Sequence, residues 1–289
     1  MTTVAQWVAG ARPRTLPAAV APVAVGTGLA VGEGRAGWLP GLLALMVSLA
    51  LQVAVNYAND YSDGVRGTDT GRVGPFRLVG SGSATPSAVR LAALAAFGLA
   101  GVAGLGLAAL TTWWLVAMGV VCMVAAWGYT GGDRPYGYRA LGEVSVFVFF
   151  GVVAVTGTYF VHSGRITGTA VLAAIPVGLL ACALLVVNNL RDVPTDTLAG
   201  KRTLAVAIGD GRTRTLATVL LVAPFASGVV LALSRPWAAI ALLAIPLAIP
   251  ALRPIRAGAL GRDLVPALRD TGRLQLVYGL LLAAGLAIG

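Results

Sequence analysis

Apolar residues run along this chain in long blocks, broken by little except Gly and Pro and separated by short polar stretches. The blocks fall at about 16–30, 38–57, 88–110, 113–129, 144–161, 169–187, 216–233, 237–252 and 274–288. A helix crossing the hydrocarbon core needs about 20 apolar residues, so the pattern predicts about nine transmembrane helices in one all-α polytopic bundle. The first block is short and holds Pro17 and Pro22, and the eighth holds Pro246 and Pro250, so kinks are expected in both.

Composition agrees with a bilayer setting. Of 289 residues, 57% are hydrophobic and 11% charged, whereas a soluble domain carries roughly a quarter charged residues. The 38 glycines suit membrane helices, whose backbones approach closely where side chains are small. Cys122 and Cys182 lie within different apolar blocks and read as small hydrophobes, not as a disulfide or a metal site. Arg12 and Arg14 precede the first block, which lacks a cleavage site and is expected to remain as the first helix. One domain is expected over 1–289.

Charge then orients the bundle. With nine crossings, all of the 21 Lys and Arg except Arg35, Arg165 and Arg235 fall on the side of the N-terminus. Under the positive-inside rule that side is cytoplasmic, in a plasma membrane, with the C-terminus outside. Glu33 is the one acid expected on the far side. The other ten, Asp60, Asp63, Asp69, Asp133, Glu143, Asp192, Asp196, Asp210, Asp263 and Asp270, share the basic side. The positive-inside rule does not account for acids, so their placement calls for another cause. His162 falls in a short outer loop, away from them.

The second block ends in Asn56-Tyr-Ala-Asn59-Asp60-Tyr-Ser-Asp63-Gly64. On a continuing helix Asn56, Asp60 and Asp63 share one face. Such a set is either an ordinary solvated helix end or an oxygen-only site for a hard divalent cation. The sixth block ends in Asn188-Asn189-Leu-Arg191-Asp192-Val-Pro194-Thr-Asp196, with the same Asn-to-Asp spacing. Four helices separate the two, so their helices run in the same direction. This suggests a parallel internal repeat, about 15–130 and 143–253, with two acidic ends facing each other across a cavity. Paired clusters of this kind suit Mg²⁺ and a diphosphate, although Pro194 is expected to distort the helix between Asp192 and Asp196. Arg66, Arg72, Arg77 and Lys201 stand in glycine-punctuated loops after the clusters. They could grip a diphosphate or could simply follow the positive-inside rule. The loop from Tyr129 to Arg139, ending at Glu143, carries tyrosines beside arginines, as an aromatic pocket or an interfacial belt would. No Walker, dinucleotide, haem or Cys/His metal motif is present, and no nucleic-acid partner is expected.

These residues make the chain resemble the UbiA superfamily of intramembrane prenyltransferases. The resemblance extends over Arg12–Pro17, Asn56–Asp69, Tyr129–Glu143 and Asn188–Gly209. Within the superfamily it is similar to members that prenylate 1,4-dihydroxy-2-naphthoate in menaquinone biosynthesis. Ubiquinone-pathway members typically carry a further Asp where Gly64 stands. The resemblance implies a bundle around a lipid-open cavity and two Mg²⁺ ions, one held by Asn56 and Asp60 and the other by Asp192 and Asp196. Asp63 and Asp69 are further candidate ligands. Arg66, Arg72, Arg77 and Lys201 would bind the polyprenyl diphosphate, and Tyr129, Arg139 and Asn188 the aromatic acceptor. The implied reaction ionises the allylic diphosphate and alkylates the ring with loss of CO₂ and a proton, giving demethylmenaquinone. Homogentisate, another phenol or a chlorin as acceptor, or a secondary transporter, are the alternatives.

Overall fold

The computed structural model of the protein describes residues 2–67, 74 and 76–289. Among these residues the regular structure is helical, apart from one isolated backbone bridge between Arg139 and Arg202. The helices are α1 (Val4–Gly10), α2 (Pro17–Gly32), α3 (Trp38–Arg66), α4 (Pro86–Leu110), α5 (Trp114–Gly128) and α6 (Gly142–Ser163). They continue with α7 (Gly168–Leu198), α8 (Leu204–Ile208), α9 (Asp210–Ala232), α10 (Pro236–Arg256) and α11 (Gly261–Ile288).

Each apolar block coincides with a helix, but not every helix is long enough to span. Among the described residues seven (α3, α4, α6, α7, α9, α10 and α11) are, and an eighth follows if Val4–Thr15 and α2, bent by 52°, form one span. The remaining block becomes α5, of 15 residues. At 1.5 Å per residue it is about 22 Å long, short of a hydrocarbon core of roughly 30 Å. The expected nine are therefore seven or eight full spans and one short apolar helix.

The prolines act unequally. The first bend lies at the junction ahead of Pro17, not at Pro22 within α2. In α10 the first nine residues, Pro236–Ala244, are a 3₁₀ helix, and α geometry begins at Ile245 beside Pro246. Pro194 does not interrupt α7, contrary to expectation. One proline removes a single ladder bond. Packing of the deeply buried α7 against α6 and α9 holds the helix through that loss. Asp192 and Asp196 consequently stand one turn apart on a continuous helix.

Small residues set the helix spacing. Gly28 and Gly32 of α2 lie against the carbonyls of Ala283 and Leu286 in α11, where any Cβ would collide. Lipid tails are as apolar as the helices, so contact of this kind, not solvent exclusion, holds the pair together. Within α6, Phe147–Val153 is a π-helical segment. It brings Gly151 so close to Gly178 of α7 that a Cβ would fall 2.6 Å from the latter's Cα. Pi segments are frequent at functional sites, and this one turns both Phe149 and Phe150 into an internal chamber.

The face away from the motif acids is closed by ion pairs. Glu33 accepts from Arg165 and Arg235 at 3.0 Å each, and Tyr159 donates to it at 2.6 Å. His162 lies in the last turn of α6, not in a loop. It is within 3.2 Å of the Thr27 hydroxyl, and its Nδ1 accepts from the amide of Gly37 at 3.2 Å. Its role is to tie α6 to α2 and to the start of α3.

Candidate active site

A chamber of about 920 Å³ runs into the bundle. Its inner walls are apolar: Val47 and Leu51 of α3, Leu107 of α4, Met118 and Met123 of α5, and the two phenylalanines of α6. Cys122 lines it too and is only half-buried, while Cys182 is buried with its thiol on the Glu143 carbonyl at 3.1 Å. The other end is polar. Asn56, Asn59 and Asp63 face it from α3, and Asn188, Asn189 and Arg191 from α7. The two motif helices thus border one space.

Local chemistry sets how each polar group presents itself. Asn56 donates through Nδ2 to the carbonyl of Ala11 at 2.8 Å and to Thr15 Oγ1 at 2.9 Å. Asn59 Oδ1 accepts from Thr130 at 2.7 Å. Asp63 accepts from the Tyr138 hydroxyl at 2.5 Å and pairs with Arg77 at 3.2 Å. Lys201 Nζ lies 5.0 Å from the centre of the Tyr138 ring and 3.9 Å from Asp196. Tyr138, in the loop after α5, therefore links the end of α3 to the loop after α7. The backbone contact of Ala140 with Arg202, at 3.1 Å, reinforces the link.

Among the expected site residues, Asn56, Asp63, Arg77, Lys201, Tyr129 and Asn188 line the chamber. Asp60, Asp192 and Asp196 are buried but lie behind its wall. Both Asp60 oxygens accept backbone amides, from Leu78 at 2.7 Å and Val79 at 3.0 Å. Asp192 is gripped by the fork of Arg191, at 2.7 Å to each oxygen. Arg66 is not aimed at the chamber, because its guanidinium donates to the carbonyls of Thr130 and Gly132. Arg139 is exposed and lies in the backbone bridge to Arg202, away from the chamber wall. Asp69 and Arg72 lie outside the described residues.

Several lining groups were not anticipated. Arg12 has a left-handed backbone, φ 55°, that turns it into the chamber, and its charge acts on Asp60. Asn59 and Asn189 neighbour expected residues and could have been found by helical phase. Arg12 opens the Arg12–Pro17 stretch of the resemblance, but nothing in its helical phase pointed to the chamber. Tyr136 packs edge-on to Tyr129 with ring centres 5.5 Å apart and donates to the carbonyl of Ala125 at 2.7 Å. Burial pushes its phenol above the ordinary value, against the lowering effect of its Ser145 contact.

The donor set suits a hard cation: Asn56, Asn59, Asp60, Asp63, Asp192 and Asp196 can offer it oxygen, with no His or Cys among them. Among the described residues no three His, Cys, Asp or Glu side chains already converge on one ion position. The acids instead carry partners of the protein's own: backbone amides at Asp60, Arg77 and the Tyr138 hydroxyl at Asp63, Arg191 at Asp192 and Lys201 at Asp196.

Residues 19–258 match the UbiA prenyltransferase family, a stretch that takes in both motif helices and the loops between them; the chain belongs to that family. It is 53% identical over 289 residues to a 1,4-dihydroxy-2-naphthoate octaprenyltransferase of Mycobacterium tuberculosis, covering 100% of this chain and 99% of that one. It is 36% identical over 290 residues to the Escherichia coli 1,4-dihydroxy-2-naphthoate octaprenyltransferase, covering 97% and 94%. The fold is shared with a UbiA homolog from Archaeoglobus fulgidus bound to GPP and Mg²⁺, at a TM-score of 0.69 and 17% identity, over 96% of this chain and 99% of that one.

Proposed function

We infer that this membrane protein transfers a polyprenyl group from polyprenyl diphosphate to 1,4-dihydroxy-2-naphthoate, a step of menaquinone biosynthesis. One observation carries the reading. A single chamber joins a mouth of oxygen donors and guanidinium groups to an apolar interior, in a chain similar over its whole length to enzymes of that activity. Among the described residues, the charged groups that line the chamber gather at its motif end, which favours a lipid-substrate enzyme over a transporter. The charged face is the cytoplasmic one in this reading. The parallel repeat would make α3 and α7 counterparts.

Arg12, Arg77 and Lys201 receive the diphosphate at the mouth, and the apolar walls take the polyprenyl tail. Asn56, Asp60 and Asp63 on one helix and Asp192 and Asp196 on the other would hold Mg²⁺, two ions in this reading. The metal would supply neutralisation of charge building on the departing diphosphate. Arg12, Arg77 and Lys201 add to the same effect, which favours ionisation of the allylic C–O bond. Phe149, Phe150 and Met123 keep water from the resulting allyl cation. Tyr129 and Asn188 border the space left for the aromatic ring. Attack through the carboxylate-bearing carbon releases CO₂, whose bonding electrons restore aromaticity. With that carboxylate ionised, no ring proton has to be removed, so the proton loss implied by the resemblance is unnecessary for this step, and the immediate product is the quinol form of demethylmenaquinone.

Membranes containing the protein, supplied with labelled prenyl diphosphate and a panel of acceptors, test this directly. Prenylation of 1,4-dihydroxy-2-naphthoate that EDTA abolishes and Mg²⁺ restores is the expected outcome. Turnover of homogentisate or another phenol instead would overturn the acceptor.

A further inference from the structure

Asn188 and Asn189 are neighbours on α7, both line the chamber, and the structure holds their amides in opposite senses. Asn188 Oδ1 accepts from Arg191 Nη2 at 2.9 Å. Its NH₂ group is therefore the half left to meet a ligand. Asn189 Nδ2 donates to Glu143 Oε1 at 3.1 Å, which leaves the carbonyl oxygen as its free half. Glu143 is buried at 8% exposure, and its second oxygen has no hydrogen-bond partner among the described residues. A buried carboxyl is costly to keep. Here it fixes which way an amide points.

We propose that this pair reads the aromatic acceptor: Asn189, turned by Glu143, accepts from a ring hydroxyl, and Asn188, turned by Arg191, donates to the carboxylate. The inference rests on the acceptor class proposed above. In 1,4-dihydroxy-2-naphthoate the 1-hydroxyl is satisfied internally by the adjacent carboxylate, so the 4-hydroxyl is the donor that needs an outside oxygen. The carboxylate needs donors. A donor and an acceptor set side by side match those two needs, and a prenyl diphosphate, which carries no hydroxyl donor, has no use for Asn189 Oδ1. Asn189 is thus a binding residue and Glu143 a positioning residue acting through it.

The test compares equilibrium binding of 1,4-dihydroxy-2-naphthoate and of 1-hydroxy-2-naphthoate, which lacks the 4-hydroxyl, to the purified full-length protein by calorimetry. The intact protein should favour the dihydroxy compound by about tenfold, the worth of one hydrogen bond near 1.4 kcal/mol. In Asn189→Ala and Glu143→Leu that ratio should fall to within about twofold of unity, because only one hydrogen bond is at stake. Glu143→Gln, which keeps an acceptor for Nδ2, should restore most of it. Geranyl diphosphate affinity should stay within about twofold throughout, since the pair does not touch diphosphate. A ratio unchanged in Asn189→Ala would overturn the proposal, as would parallel weakening of geranyl diphosphate binding. Turnover by the unmodified protein is read separately, so a wrong acceptor assignment shows there and a wrong role for Asn189 shows in the ratio.

Discussion

Asp60 receives the backbone amide of Leu78 at 2.7 Å and, through its other oxygen, that of Val79. A motif aspartate in α3 thus holds the chain that leads into α4, while Asp63, three residues on, meets the chamber. A hydrogen bond to a charged group contributes about 1.5–3 kcal/mol. Asp60→Ala is therefore expected to cost about 3 kcal/mol and to speed amide exchange at Leu78 and Val79, besides losing prenyl transfer. Asp63→Asn should lose transfer and some stability too, because it removes the charge that the buried Arg77 pairs with, but should leave exchange at Leu78 and Val79 slow. Unchanged exchange at those two amides in Asp60→Ala would show that Asp60 does not organise the loop.

The same loop explains Gly64. A Cβ there would lie 2.5 Å from Val79 Cβ and closer still to its Cγ1, so the loop can rest on the helix only over a glycine. Gly64→Ala should cost about 1–3 kcal/mol by overpacking, and Gly64→Asp more because it adds a charge beside Asp60 and Asp63. Pairing Gly64→Ala with Val79→Ala should recover part of the loss. Thermal melting in detergent measures all three.

Both the bundle and the motif helices were legible from the chain, because block length and Asn/Asp spacing depend on local periodicity. Which acid meets the chamber was not. Asp60 and Asp63 share a helix face, and their roles separate only through Leu78, Val79, Tyr138 and Arg77, which arrive from elsewhere in the sequence. Arg66 likewise looks free in sequence, and carbonyls of a loop some 65 residues on capture it. α1 did leave a local signal, the Thr3–Gln6 capping box. The π segment of α6 left none, because a run of Phe and Val reads as ordinary apolar helix.

On the opposite face the Glu33 carboxyl sits below its ordinary value of about 4.5. Burial raises it, but the Tyr159 and Arg165 hydrogen bonds and the charges of Arg165 and Arg235 outweigh that. The group's folded value is depressed, so its stabilisation is fully present above the unfolded value and is lost as pH falls through the folded one. Melting temperature should therefore drop as pH is lowered from about 5 toward 3, in the window where a carboxyl titrates. Glu33→Gln should melt lower than the unmodified protein at neutral pH and show a shallower fall across that window. Parallel pH profiles for the two proteins would remove Glu33 from the account.

Arg12 combines a functional position with backbone strain. It precedes Pro13, which already restricts its conformation, and it adopts φ 55°, a region L-residues occupy at a cost of roughly 1–3 kcal/mol. The strained turn places the guanidinium on the chamber wall near Asp60. Glycine relieves the backbone and alanine does not, yet both delete the charge. Arg12→Gly should accordingly be more stable than Arg12→Ala by about 1 kcal/mol, while the two share a rise of tenfold or so in KM for prenyl diphosphate. Arg12→Lys keeps the charge and loses the forked donors, so its KM should fall between those of the unmodified protein and Arg12→Ala. Equal stability of the glycine and alanine variants would show that the left-handed turn costs nothing. An unchanged KM in Arg12→Ala would show that the turn does not serve the diphosphate.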